Sequence, residues 1–176
     1  KIIRCRILIY CLSWASFGVA QNQSLTKYPI EDLSSLEGIL PFVHALVVSS
    51  TVENEISVSY QSEGEYQGQI QLNKVLLNRH LLLNEQRGLE FPFFHDKLSA
   101  HKVIATSLTL NLPVSLPIDL TLENAKVVIS GAFQNFYLSL KEGEVIINSQ
   151  SLVGKIETKF AAIKGEALKS KAVINP

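Results

Sequence analysis

The chain has 176 residues, 47% of them hydrophobic and 18% charged, with 16 basic side chains balancing 16 acidic ones. That length suits one domain with a core of its own, and the apolar content excludes a disordered chain. Zero net charge with dispersed basic residues leaves no electrostatic footprint for nucleic acid, and two cysteines exclude a multi-disulfide framework.

Lys1, Arg4 and Arg6 precede an uncharged apolar run from Ile7 to Ala20, which ends in Gly18-Val19-Ala20 before the polar Gln21-Asn22-Gln23-Ser24. A basic start, an apolar centre and a small-residue end predict a secretory signal peptide over residues 1–20. The run of 14 residues is shorter than the roughly 20 that cross a bilayer as a helix. A membrane anchor is the competing reading. A lipoprotein site at Cys11 is the weaker alternative, because bulky Tyr10 precedes it and the apolar run continues beyond it. Cleavage after Ala20 removes Cys5 and Cys11 together with three cations, leaving 13 basic against 16 acidic residues. The expected product is exported, to the periplasm, the outer cell surface or the medium, with no stable membrane span after cleavage.

Residues 21–42 read as an entry segment. Pro29 followed by Ile30, Leu33, Leu36 and Leu40 has the spacing of a short amphipathic helix, ended by Gly38 and Pro41. Residues 43–176 read as an all-β domain. Ile56, Val58 and Tyr60 alternate with polar residues, as do Ile70 and Leu72, and Ser62-Glu63-Gly64-Glu65 between them predicts a hairpin. Lys74 to Gln86 is read as one strand centred on His80-Leu81-Leu82-Leu83, and Val103 to Leu112 as a longer one. Pro113 and Pro117 bar a fully paired strand after it and mark a turn or corner.

An internal repeat begins at Ile118. Ile118, Leu120 and Leu122 recur 18 residues later as Phe136, Leu138 and Leu140, and Val127 and Ile129 recur as Val145 and Ile147. The polar break Glu123-Asn124-Ala125-Lys126 recurs as Lys141-Glu142-Gly143-Glu144. A third copy carries Gly154, Ile156, Thr158, Ile163 and Gly165, and Ala172 and Ile174 open a fourth. A fixed short period means that each unit covers its neighbour's apolar face. The favoured architecture is a β-solenoid, a right-handed β-helix-like stack of 18-residue coils, with an antiparallel meander or sandwich as the alternative. Leu120, Leu138 and Ile156 are expected in one buried ladder. The ending at Asn175-Pro176 is read either as a blunted edge or, with the absent Met, as a chain truncated at its C-terminus.

Site-like residues are few. His95, Asp96 and His101 have donor types suited to a metal such as zinc, but without a further ligand nearby they read as a capped turn before a strand. Glu63, Glu65, Asp119 and Glu123 are carboxylates of the kind used in glycoside cleavage. The outward repeat positions Asp119, Thr121, Tyr137, Ser139, Lys155 and Glu157 read as a mixed polar face without a cluster. Tyr60, Tyr66 and Tyr137 are the aromatics for a sugar-stacking stripe, with Tyr60 assigned to the core, and Phe91-Pro92-Phe93-Phe94 is the largest aromatic cluster. No Gly-x-Ser-x-Gly elbow, dinucleotide fingerprint, phosphate loop or Asp-rich calcium turn occurs, so no catalytic residue and no cofactor are expected.

The segments Ser62-Glu63-Gly64-Glu65-Tyr66, His95-Asp96-Lys97-Leu98-Ser99-Ala100-His101-Lys102-Val103 and Leu112-Pro113 resemble exported proteins of flavobacteria and related Bacteroidetes. The tail, with Val128-Ile129-Ser130-Gly131, Leu140-Lys141-Glu142-Gly143 and Gly154-Lys155-Ile156-Glu157-Thr158, is similar to the adhesin-like family of β-solenoid domains, catalogued as a domain of unknown function. The resemblance covers roughly Val43 to Ile174. Phe160-Ala161-Ala162 departs from its usual glycine turn. It implies an all-β, right-handed protein of the surface or periplasm, acting as a non-enzymatic adhesin or cell-envelope binding protein. The partners implied are a cell-surface glycan or an envelope protein. The alternatives are a carbohydrate-active enzyme or sugar-binding module on the same scaffold, and an envelope lipid-handling protein.

Overall fold

The computed structural model describes residues 22–64, 68–88, 104–167 and 170–175. The expected signal peptide therefore lies outside the described residues. The described chain is all-β, with strands β1 (Asn22–Pro29), β2 (Ser35–Leu40), β3 (Ala45–Thr51), β4 (Glu55–Gly64), β5 (Ile70–Leu77), β6 (His80–Arg87), β7 (Ile104–Pro113), β8 (Ile118–Ala167) and β9 (Ser170–Asn175). They form one nine-stranded sheet in the order β1-β4-β7-β3-β8-β2-β6-β5, with β9 pairing β8.

The entry segment corrects the expected helix. Its chain runs through β1, a 3-10 turn at Ile30–Asp32 and then β2. Leu36 and Leu40 are both buried while Glu37 and Ile39 face outward. A spacing of four is even, so it satisfies a two-residue period as well as a helical one. Pairing with β6 on one side and β8 on the other decides for the strand.

The expected hairpin between the runs at 55–60 and 69–73 is also corrected. β4 pairs antiparallel with β1 and β7, opposing Ile56 to Tyr28 and Tyr60 to Leu108. β5 pairs instead with β6. Asn78 and Arg79 make the two-residue turn, at φ 51° and 68°. Two consecutive left-handed residues match the twist of a tight hairpin, and asparagine tolerates that region well. The expected single strand from Lys74 to Gln86 is thus two strands. The turn is docked by the Ser34 N–H, which donates to the Arg79 carbonyl at 2.7 Å.

β7 stops at Pro113 and β8 starts at Ile118, with the Leu116 N–H donating back to the Pro113 carbonyl at 3.2 Å. The 50 residues of β8 would run to about 165 Å if straight. They are bent back instead, and residues 18 apart meet. The Ser149 hydroxyl donates to the Gly131 carbonyl at 2.5 Å, and Lys126 pairs with Glu144 at 3.7 Å. Gly143, at φ 123°, lies so close to Ala125 that a Cβ there would collide with its carbonyl oxygen. Gly154 stands in the same relation to Phe136. β8 pairs with β9 in parallel at the same offset, from Leu152 opposite Ser170 to Ile156 opposite Ile174.

The pairings of β8 with β2, β3 and β9 are all parallel. An antiparallel meander, the alternative architecture, does not account for this part of the sheet. Antiparallel pairing is confined to β1-β4-β7 and β5-β6.

One core runs along the inner face. Leu36, Leu81, Leu120, Leu138 and Ile156 belong to it, as do Leu46, Leu108, Val127 and Val145. Leu120, Leu138 and Ile156 are all fully buried, as the repeat predicts. Each such side chain contributes about 1.5–3 kcal/mol by leaving water. The sheet is curled, because its outermost strands approach one another: Lys74 on β5 donates to Ser24 Oγ at 3.2 Å and Thr26 Oγ1 at 2.7 Å on β1.

Candidate functional site

Alternation on β2 and β8 turns every second residue outward, and the register stacks those residues side by side. Glu37 lies opposite Asp119, and Ile39 opposite Thr121. The bends in β8 bring Tyr137 and Lys155 beside Asp119, where with Glu37 they line an open groove of about 480 Å³. Farther along, Thr121, Ser139 and Glu157, then Glu123, Lys141 and Lys159, line a second groove of about 370 Å³.

Three polar groups of this face are tied together. The Tyr137 hydroxyl donates to Glu157, which also forms an ion pair with Lys155. The Lys155 ammonium lies 5.9 Å from the centre of the Tyr137 ring. Asp119 is held above the usual carboxylate range, first by partial burial and then by the neighbouring charge of Glu37. Tyr137 is raised by its hydrogen bond to the Glu157 carboxylate, with burial and the charges of Glu157 and Asp119 adding to it. Ser35 Oγ lies 2.5 Å from His80 Nδ1 at the rim.

The residues that sequence reading placed outward (Asp119, Thr121, Tyr137, Ser139, Lys155 and Glu157) do face outward, and three of them, Tyr137, Glu157 and Lys155, are joined directly. Glu37 was missed. It stands 82 positions before its neighbour Asp119, and no local periodicity joins them.

A second polar cluster is buried at the corner between β2 and β3. Glu85, on β6, is 5% exposed. It accepts the Phe42 N–H at 2.7 Å, the Val43 N–H and the Tyr60 hydroxyl at 3.0 Å. Burial raises its carboxyl above the ordinary range, and the three hydrogen bonds oppose that shift. Burial likewise raises the Tyr60 hydroxyl, with the Glu85 charge adding to it. Arg87 sits 4.8 Å above the Phe42 ring. By accepting from two main-chain N–H groups and from Tyr60, this carboxylate fastens the corner. Sequence reading took Tyr60 as core, which it is, but gave Glu85 no role.

Of the remaining candidates, Glu63 is exposed near the end of β4. Glu65, Tyr66, the Phe91-Pro92-Phe93-Phe94 cluster, His95, Asp96 and His101 lie outside the described residues. Among the described residues no group of three His, Cys, Asp or Glu side chains is placed to hold a metal, and no helix is long and apolar enough to cross a membrane.

No family model and no curated protein sequence matches the chain. Several solved structures resemble it. A candidate cell adhesion protein from Clostridium sporogenes is 14% identical at a TM-score of 0.46, the match covering 86% of this chain and 100% of that one. A candidate adhesin from Bacteroides fragilis is 10% identical at a TM-score of 0.33, over 86% of this chain and 97% of that one. A candidate lipid binding protein from Parabacteroides distasonis is 10% identical at a TM-score of 0.32, over 82% and 67%.

Proposed function

We propose that the chain is an exported, non-enzymatic binding protein, an adhesin or cell-envelope component, whose scaffold is a β-solenoid of 18-residue coils. The scaffold reading is supported by the 18-residue register of β8 with β9 and by the same offset in the Ser149–Gly131 and Lys126–Glu144 contacts. Export is supported by the leader-like order of residues 1–20.

The binding face is the outer surface of β2 and β8, and its partner is a cell-surface glycan. One observation carries this reading: the Tyr137 ring stands in an open groove between Asp119 and Lys155 with its hydroxyl fixed to Glu157. A fixed ring with carboxylates and a cation around it offers a stacking surface and hydrogen-bond partners for sugar hydroxyls. A glycan array on the purified protein tests it. Binding by the wild type that Tyr137→Ala abolishes is expected, with an unchanged melting temperature. No binding to any glycan would overturn it.

A second reading, a glycoside-cleaving enzyme, is favoured by one observation only. Glu37 and Asp119 are directly opposed on neighbouring strands, with Asp119 raised. Retaining enzymes place two carboxyls about 5–5.5 Å apart. Release of reducing ends from a bound glycan, lost in Asp119→Asn, would decide for this reading over the first.

A further inference from the structure

We propose that the two grooves form one trough that selects an oligosaccharide bearing both a protonated amine and an acidic group. The amine would be held at Glu37 and Asp119, and the acidic group at Lys141 and Lys159. This inference rests on the reading that the β2–β8 face binds glycans.

The grooves are linked by Glu157. It lines the second groove, while its carboxylate bonds Tyr137 and Lys155 in the first. From Tyr137 to Lys141, or from Asp119 to Glu123, is four extended residues, about 13 Å. That length is greater than one pyranose ring and suits several linked ones lying along the strands.

The ends of the trough differ in charge. Among the described residues Glu37 and Asp119 have no cation bound to them, since the nearby Lys155 is committed to Glu157. Like charges directly opposed across strands are destabilising, and partial burial of Asp119 adds to that cost. A ligand ammonium between them removes the repulsion. The other end sets two lysines, Lys141 and Lys159, against the one carboxylate Glu123, since Glu157 is committed to Lys155. Lys141 forms no ion pair among the described residues, and Lys159 lies 5.6 Å over the Phe160 ring. Charge complementarity therefore calls for a ligand cation at one end and an anion at the other. The partly exposed Tyr137 ring beside Asp119, in an open groove with apolar as well as polar lining, offers the flat face of a sugar a stacking surface at the acidic end.

The test uses four probes at low and physiological salt. These are a de-N-acetylated heparosan tetrasaccharide with alternating amine and carboxylate, its N-acetylated parent, a neutral glucan tetrasaccharide and a Lys-Gly-Gly-Asp peptide. The expected result is at least fivefold tighter binding of the amine-bearing tetrasaccharide than of its parent. Combining Glu37→Gln with Asp119→Asn should erase that preference while binding of the parent persists. Combining Lys141→Gln with Lys159→Gln should weaken both heparosan probes relative to the glucan. All these positions are on the outer face, so the melting temperature checks that the variants stay folded. Equal affinity for the two heparosan forms, a preference that survives the double variant, or peptide binding as tight as the tetrasaccharide's would overturn the proposal. Tyr137-dependent binding of glycans without charge preference would overturn this inference alone. Failure of every glycan, on the array as well, would overturn the glycan-binding reading with it.

Discussion

The Tyr60 hydroxyl donates to Glu85 Oε1 at 3.0 Å in a site where both residues are buried. The other oxygen of that carboxylate accepts the Phe42 N–H. One side chain from β6 thus fixes the corner that carries the chain from β2 to β3. Glu85→Ala leaves those donors without an acceptor. It is expected to cost about 2–4 kcal/mol, since each buried unsatisfied group costs about 1–3 kcal/mol. Glu85→Gln keeps an acceptor and should cost less than half as much, and Tyr60→Phe about 1 kcal/mol. Urea unfolding of the three variants checks this order, and equal stability of Glu85→Ala and wild type would refute the latch.

The same carboxyl gives a pH dependence of known sign. Burial raises the Glu85 pKa in the folded state above its unfolded value. The folded protein therefore binds the proton more tightly than the unfolded chain does, and this group's contribution favours folding increasingly as pH falls through the raised pKa. The gain is complete below the unfolded value. Glu85→Gln removes the titration, so the difference in unfolding free energy between variant and wild type should shift toward wild type as pH falls through the raised pKa, and level off below the ordinary carboxylate range. A difference independent of pH would show that Glu85 is not desolvated.

Leu138 is fully buried in the common core. Leu138→Ala is expected to cost about 2–5 kcal/mol through lost burial and the cavity left behind. Leu138→Asp places an unpaired charge there and should unfold the domain. Circular dichroism melting distinguishes the two, and an unchanged transition in Leu138→Asp would refute the core assignment.

Deleting residues 136–153 removes one full 18-residue offset and keeps inward positions inward. If the scaffold is a stack of 18-residue coils, the shortened protein should retain a cooperative thermal transition with β-type circular dichroism. Deleting nine residues, 136–144, reverses the alternation of all that follows and should abolish the transition. Loss of folding in both deletions alike would argue against the stacked-coil scaffold.

Part of this was legible in the sequence. The alternation of Ile56, Val58 and Tyr60, the proline-marked corner at Pro113 and Pro117 and the burial of Leu120, Leu138 and Ile156 follow from a side-chain period of two that is local. The helix read at residues 29–40 failed because Leu36 and Leu40 fit both periods, and only pairing with β6 and β8 chooses between them. The hairpin read at Ser62–Glu65 failed because the left-handed pair Asn78–Arg79 closes a tighter one, while Glu55–Gly64 is claimed by β1 and β7.

What the sequence by itself determined was the class of structure and the outward set: an all-β chain with Asp119, Tyr137, Lys155 and Glu157 on one side of an alternating pattern. Only the tertiary structure decided that Glu37 joins Asp119, that Glu157 ties Tyr137 to Lys155, and that Glu85 is buried at the β2–β3 corner. The reason is physical. Alternation fixes which way a side chain points, a property of one strand, whereas neighbours across strands depend on a register between segments that in these cases lie 18 to 82 residues apart.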